Sequence, residues 1–369
     1  MKKVIVSVTN DLSTDQRVDK VCNTLVSMGF KVCLTGRLLP DSFKLKRVYQ
    51  THRMTLIFRK GPLFYAEYNI RLLGYLLFHK ANLLVSNDLD TLPANFTAHI
   101  LKHIPIVYDS HEYYTGTPEL VNRPRVQAIW KAFERYIFPR LKDIFTVNES
   151  IANLYRDEYH KEVHVIRNVP RQWKDKPEAT PGKLGFDPDK HLIILQGAGI
   201  NIQRGAEEAV EAMKYVNNAI LMIIGGGDVI ESLKEQASIN GLSNKVLFFP
   251  KMPFPKLMEY TSVAEIGLTL DKDTNINYRF SLPNKLFDYI HAGTPVLASP
   301  LPEIKRIIEQ YGVGMLIESH DPKHIANCIN QMINGNYKQL MKQNLERAAS
   351  ELNWENEELT LKKVYSKYA

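Results

Sequence analysis

The sequence predicts an α/β protein made of two doubly wound parallel sheets, each flanked by helices. Three observations carry this. Short apolar runs alternate with helical-period stretches along nearly the whole chain. At 369 residues the chain is too long for one ordinary core, and two domains of about 150–200 residues are expected. A polar stretch rich in Lys, Pro and Asp, from residue 168 to residue 187, falls near the middle and reads as a linker. The expected division is residues 1–168 and 169–353. A last helix over 354–369, entered at Trp354, is expected to turn and cross back to the first domain.

Composition narrows the class. Apolar content is 44%, ordinary for a globular chain. Cys22, Cys33 and Cys328 are far apart and lack metal-ligand spacing, which fits reduced core residues in a cytoplasmic protein. The start, Met-Lys-Lys before Val-Ile-Val-Ser-Val, is too short in its apolar part for a secretion signal and reads as a buried strand. The richest apolar run, 72–78, is far short of a membrane span.

The net charge of +7 is unevenly spread. Residues 37–80 hold nine Lys/Arg against Asp41 and Glu67, a local excess equal to that of the whole chain. Beside these charges lies an amphipathic segment with Leu63, Phe64, Leu72, Leu76 and Phe78. The pattern suits peripheral contact with an anionic membrane surface, or a phosphorylated acceptor. A solvated basic face over an ordinary buried helix satisfies it equally. Nucleic acid is disfavoured, because aromatic residues do not interleave with the basic ones as stacking platforms.

In the first half, a strand over 4–9 ends in Asn10 and Asp11, and a helix follows with Val18, Val21, Cys22, Leu25 and Met28 on one face. Open α/β sheets bind ligands in such loops, at the carboxyl ends of strands. The loop has no G-x-G-x-x-G, which argues against a dinucleotide at this point. Asn10, Asp11 and Arg17 are candidate ligand contacts, with helix caps and surface charges as the alternative. Next come a strand over 56–60, a helix over 63–79 and a strand over 83–86 running into the polar residues Asn87, Asp88 and Asp90. A helix over 95–103 carries His99 and His103 one turn apart, without a carboxylate pattern that would make them a metal pair. A strand over 105–108 leads to Asp109, Ser110, His111 and Glu112, suited to hydrogen-bonding a polar ligand. Ser110 lacks the G-x-S-x-G elbow of a nucleophile. A helix over 126–141 is expected to bury Trp130, Phe133, Tyr136 and Ile137.

The second half repeats the alternation. A strand over 191–195 ends in a loop with Gly197, Gly199, Arg204 and Gly205. Its small residues admit a ligand to the backbone, and Arg204 suits a bidentate phosphate clamp. Strands over 220–224 and 246–249 end in Gly225, Gly226, Gly227 and in Pro250, Lys251, Met252. After a strand over 265–270 comes the stretch around which this half is organised, residues 281–298. Pro283 suits a first helical turn, Leu286, Tyr289 and Ile290 form an apolar face, and Gly293 stops the helix before a short strand. The free amides at that helix start, with Lys285 beside them, make an anion site, and Asp288 one turn on can accept from sugar hydroxyls.

Taken together these motifs resemble the retaining glycosyltransferases of family 4, which have the GT-B fold. The likeness runs through Thr9-Asn10-Asp11-x3-Asp15-x-Arg17, Tyr108-Asp109-Ser110-His111-Glu112, Thr146-Val147-Asn148-x-Ser150 and Ile166-x-Asn168-x-Pro170. It continues through Gln196-Gly197 to Arg204-Gly205, Ile224-Gly225-x-Gly227-Asp228 and Pro283-Asn284-Lys285-Leu286-Phe287-Asp288-Tyr289. The resemblance implies two Rossmann-like domains facing across a cleft, with a nucleotide-diphosphate-sugar held mainly by the second. It implies donor contacts from Gly197, Gly199, Arg204, Gly225, Gly226, Lys251, Met252, Pro283, Asn284, Lys285 and Asp288. Arg204 and Lys285 would meet the diphosphate, Asp288 the ribose, and Lys251 with Met252 the base. His111 would reach the donor sugar, and Asn10, Asp11 and Arg17 would line the acceptor side.

Two positions depart from the family pattern. Phe280 stands where the first acid of the E-x7-E signature falls, with Asn275 and Asn277 near enough to substitute. Ala198, Gly199 and Ile200 occupy the region of the Arg that usually precedes the clamp Lys. The implied activity is metal-independent, cofactor-free sugar transfer to a hydroxyl of a glycan or lipid-linked acceptor, with His111, Arg204 and Lys285 catalytic. With no carboxylate placed as a nucleophile, a front-face route is expected. The alternatives are a GT-B-fold epimerase or phosphorylase, and a catalytically silent nucleotide-sugar-binding subunit.

Overall fold

Every strand pairing is parallel, and each half of the chain builds one sheet. The structure, a computed structural model, describes residues 1–13, 15–40, 42, 44–173 and 178–369. Thr14 of the first loop, Asp41 of the basic segment and linker residues 174–177 lie outside the described residues. The chain divides into two units: Met1–Asn168 with Glu355–Ala369, and Val169–Trp354.

Unit 1 contains β1 (Lys3–Asp11), β2 (Lys31–Arg37), β3 (Gln50–Met54), β4 (Leu83–Asn87), β5 (Ile106–Ser110), β6 (Asp143–Thr146) and β7 (His164–Val165). Their order across the sheet is β3-β2-β1-β4-β5-β6-β7, so the winding direction reverses between β1 and β4. β4, β5 and β6 are buried at every position, as parallel strands covered on both faces must be. The closing helix Trp354–Tyr365 enters this unit after Trp354, which stays in unit 2 with its N–H on the Pro170 carbonyl at 2.8 Å. Glu357 accepts from Arg167, Glu358 accepts from Thr24 at 2.8 Å, and Tyr365 stacks on Phe145.

Three expectations for unit 1 are corrected. The edge strand is β3, Gln50–Met54, not residues 56–60. The amides of Ile57 and Phe58 donate to the Glu67 carboxylate at 2.9–3.0 Å, so an acid from the next helix binds the backbone there in place of a neighbouring strand. β4 runs directly into a helix at Asp88–Lys102, with no polar loop over 87–90. Asp88 turns that corner at φ 56°, and its carboxylate accepts the His111 amide at 2.8 Å. The helix expected over 126–141 spans Pro124–Ile137 and buries Trp130, Glu134 and Ile137, leaving Phe133 and Tyr136 exposed. Glu134 takes the inward place because Lys131 and Tyr159 both bond its carboxylate.

Unit 2 contains β8 (His191–Gly197), β9 (Ala219–Gly225), β10 (Val246–Phe249), β11 (Ile266–Thr269), β12 (Val296–Ala298) and β13 (Gly314–Leu316), in the order β10-β9-β8-β11-β12-β13. Alternate residues feed two cores: Ile193, Leu195, Leu221 and Ile223 face one, Leu192, Ile194, Met222 and Ile224 the other. The winding reverses between β8 and β11, the position at which doubly wound sheets open a crevice beyond their strand ends.

Candidate functional site

The β8–β11 switch point is held by one tyrosine. Tyr289, on the helix Asn284–Ala292, lies flat over β11, where a Cβ on Gly267 would sit 2.5 Å from its ring. Its hydroxyl receives the Gln196 amide at 3.2 Å and donates to the Leu268 carbonyl at 3.2 Å, tying the helix to both strands. Gln196 donates to Asp288 at 3.2 Å and accepts from Thr261 at 2.7 Å, so Asp288 is held at the end of β8.

Above this frame is a pocket of about 230 Å³ lined by Gly197, Gly199, Arg204, Pro283, Asn284 and Lys285. The structure thus gathers residues from two stretches 79 positions apart in the chain, Arg204 ending one and Pro283 opening the other. Beneath them lies Asp271, two residues past the end of β11, which the sequence reading did not single out. Its carboxylate is fully buried and accepts from Arg204 Nη1 at 2.9 Å and from Thr269 at 3.3 Å, with Lys285 Nζ 3.7 Å from its other oxygen. Burial pushes the Asp271 carboxyl up, but Lys285 and Arg204 outweigh it and hold the group below its ordinary range. Burial, with Arg204 beside it, pulls the Lys285 ammonium down against the attraction of Asp271. The Arg204 guanidinium also lies 4.5 Å from the Tyr278 ring centroid, and its Nε is buried without a hydrogen-bond partner. Two cations over one carboxylate leave a net positive charge facing the pocket.

Glycines pack against the loop that lines the pocket. The Gly226 amide donates to the Gly197 carbonyl at 3.1 Å, and Ile200 donates to the Gly226 carbonyl at 2.9 Å. Gly225, at φ 140°, has no room for a Cβ, which would lie 1.8 Å from the Gly197 carbonyl oxygen. Lys251 runs past Gly226, its Cε 3.0 Å from where a Cβ would stand, while Met252 packs on the adjoining core. Asn275, one of the two asparagines near enough to substitute for the missing acid, caps the short helix Ile276–Arg279 by accepting from the Tyr278 amide at 2.9 Å.

The sequence-predicted residues of unit 1 lie near its own switch point. Asn10 is exposed and donates to Asp15 at 3.4 Å. Asp11 accepts from Arg53 at 2.6 Å and Ser42 at 2.5 Å; burial would raise its carboxyl, but these bonds with the Ser13 amide bring it down to about 2. Arg17, expected to face an acceptor, is 3% exposed. It forms a two-pronged pair with Asp109, at 2.7 and 3.2 Å, and bonds the Ile166 carbonyl at 2.6 Å. His111 stands between Asp88, 3.3 Å from Nδ1, and Asp109, 3.6 Å from Nε2. Burial would lower its ring, but these carboxylates push it up to about 9. Burial, with Asp88 nearby, pushes the Asp90 carboxyl up to about 8, although Thr9 donates to it at 2.6 Å. His99 Nδ1 bonds the Ile104 carbonyl at 2.6 Å.

Comparison with known proteins places this architecture. The family model described as Glycosyl transferases group 1 matches residues 178–351, and that of Glycosyltransferase Family 4 matches residues 15–169. The D-inositol 3-phosphate glycosyltransferase of Acidothermus cellulolyticus is 22% identical over 186 residues, 47% of this chain and 40% of that relative's length. The sucrose-phosphate synthase of Thermosynechococcus elongatus superposes with a TM-score of 0.77 at 17% identity, covering 100% of this chain and 99% of that one. HepE of Anabaena, solved in complex with UDP and glucose, gives 0.74 at 14% identity over 100% of both chains. These structural likenesses establish the fold. The chain belongs to the group 1, family 4 glycosyltransferases and has their GT-B fold of two Rossmann-like, parallel-sheet domains.

Proposed function

We propose that this protein transfers a sugar from a nucleotide-diphosphate-sugar to an acceptor hydroxyl, with retention at the anomeric carbon. The observation that carries the proposal is the pair of cations, Arg204 and Lys285, held by one buried carboxylate at the mouth of a pocket on the β8–β11 switch point. A departing nucleotide diphosphate needs charge stabilisation of this kind, which is usually the largest catalytic term. The first amides of the helix Asn284–Ala292 add to it. On this reading Gly197, Gly199, Gly225 and Gly226 admit the donor to the backbone, Lys251 and Met252 meet the base, and Asp288 meets the ribose. The likeness to a chain solved with UDP and glucose supports a nucleotide-sugar donor.

In the front-face route the acceptor oxygen bonds to the anomeric carbon as the bond from that carbon to the diphosphate breaks. The acceptor's proton passes to a diphosphate oxygen on the same face. Arg204, Lys285 and the helix amides supply the neutralising charge, so the proposal includes no metal and no cofactor. His111 is proposed to contact the donor sugar, and Asn10 and Asp11 the acceptor.

The acceptor is proposed to be lipid-linked or part of a surface glycan, handled by a cytoplasmic enzyme at an anionic membrane face. The support is a basic segment whose apolar side chains Ile57, Leu63, Ile70 and Phe78 are exposed, Phe78 by 89%. Among the described residues no helix is long and apolar enough to cross a membrane.

A second reading, a binding subunit that never transfers, draws on Phe280 at the first-acid position and on the engagement of Asn275 as a helix cap. Thermal stabilisation against UDP-, GDP-, ADP- and TDP-sugars, with and without EDTA, tests the donor site. One nucleotide should raise the melting temperature regardless of EDTA, and a shift with none of them would overturn the proposal. Release of free nucleotide diphosphate on adding acceptor separates transferase from silent subunit.

A further inference from the structure

We propose that unit 1 carries a second, separate binding site, a pocket at the β2–β3 edge that takes a phosphate group borne on an apolar stem. The pocket measures about 150 Å³ and is lined by Arg37, Leu39, Leu56, Phe58, Arg59 and Phe64, among others. At about 30 Å³ per water it holds roughly five waters, room for a phosphate and the first atoms of its substituent.

Its chemistry follows from how the neighbouring acids are used. Arg37 is the last residue of β2, in register with Asp11 on β1. That carboxylate would be its natural partner, but Arg53 holds one oxygen at 2.6 Å and Ser42 the other at 2.5 Å. Glu67, the nearest acid in the helix Pro62–Phe78, is occupied by the amides of Ile57 and Phe58 and by Arg71 at 2.8 Å. Those same bonds shape the loop that presents Phe58 and Arg59 to the pocket. Among the described residues the Arg37 side chain makes no hydrogen bond or ion pair. Its Nε is buried without a partner, and its guanidinium stands over the Phe64 ring, 5.2 Å from the centroid. A guanidinium braced on an aromatic face, with its donors unspent, is suited to bidentate capture of phosphate. Arg59 at the rim supplies a second charge. The apolar walls would exclude water around the stem, which inorganic phosphate alone could not exploit.

Titration calorimetry of the full chain with octyl phosphate, kept below its micelle concentration, tests this against inorganic phosphate and octyl glucoside. Octyl phosphate should bind at least about 10-fold more tightly than inorganic phosphate, from the added apolar burial. Octyl glucoside should not bind. Arg37→Gln should weaken octyl phosphate about 10-fold or more, and Arg59→Gln, an exposed substitution that spares the fold, by a smaller factor. Neither should alter the thermal shift given by a nucleotide diphosphate, so failure here is distinct from failure of the donor-site proposal. Competition by phosphatidylglycerol vesicles assigns the site to a lipid headgroup, and no competition assigns it to a dissolved phosphorylated ligand; either outcome upholds it. Equal affinity for octyl phosphate and inorganic phosphate, full affinity in both variants, or binding to vesicles without binding of dissolved octyl phosphate would each overturn it.

Discussion

Asp271 Oδ1 lies 2.9 Å from Arg204 Nη1, joining a strand end to a loop 67 residues earlier, and the same carboxylate faces Lys285. Arg204→Ala should cut turnover by about 10²–10³-fold while leaving the circular dichroism spectrum intact. Turnover near normal would remove Arg204 from the clamp. Asp271→Asn leaves Lys285 with burial and Arg204, both of which disfavour its charged form. Its pKa should fall further, and the alkaline limb of the kcat/KM profile should move down by about one pH unit or more. An unshifted limb would show that Asp271 does not maintain the charge on Lys285.

Arg17 and Asp109 form a buried pair in unit 1, so replacing one partner strands the other charge. Arg17→Met should destabilise that unit by about 3–5 kcal/mol in urea unfolding. A loss well under 1 kcal/mol, with acceptor affinity reduced, would return Arg17 to the acceptor side.

His111 gives unit 1 a definite pH dependence. Its ring is raised from 6.5 to about 9, so the stability it contributes is fully present below pH 6.5 and is lost as pH rises through about 9. The melting temperature of the wild type should therefore fall relative to His111→Asn between pH 6.5 and 10. Asp90 titrates near the same window in both proteins and to first order cancels in the comparison. A difference that stays constant across the window would refute the charged imidazole.

Gly225 tests the backing of the Gly197 loop. Gly225→Ala combines an unfavourable φ of 140° with a Cβ 1.8 Å from a carbonyl oxygen. A loss of about 3 kcal/mol or more is expected, with donor binding weakened as the Gly197 loop is pushed away. Gly74→Ala, at a helical position where a Cβ meets nothing within 4 Å, should be tolerated.

Local pattern carried much of this architecture. The alternation of apolar runs and helical faces, the polar linker, and the turn signals Pro283 and Gly293 act over a few residues, and a single sequence displays them. The helix Asn284–Ala292 and its stop at Gly293 lie where those signals put them. Residues 56–60 misled because an apolar run has the same local composition whether it pairs with a strand or, as here, gives its amides to a side chain from the following helix. Arg17 misled for a related reason: its partner is 92 residues away, and no local rule distinguishes a buried arginine from a surface one.

By itself the sequence determined the two doubly wound halves, the glycine-marked strand ends and the presence of Arg204 and Lys285 among them. Only the tertiary structure decided that Asp271 binds both cations, that Arg17 braces a core, and that the Arg37 side chain is left without a carboxylate among the described residues. The reason is physical. Secondary structure follows from periodicity along the chain, whereas ion pairing depends on which charges the sheet order brings within a few ångströms and on whether burial leaves them water.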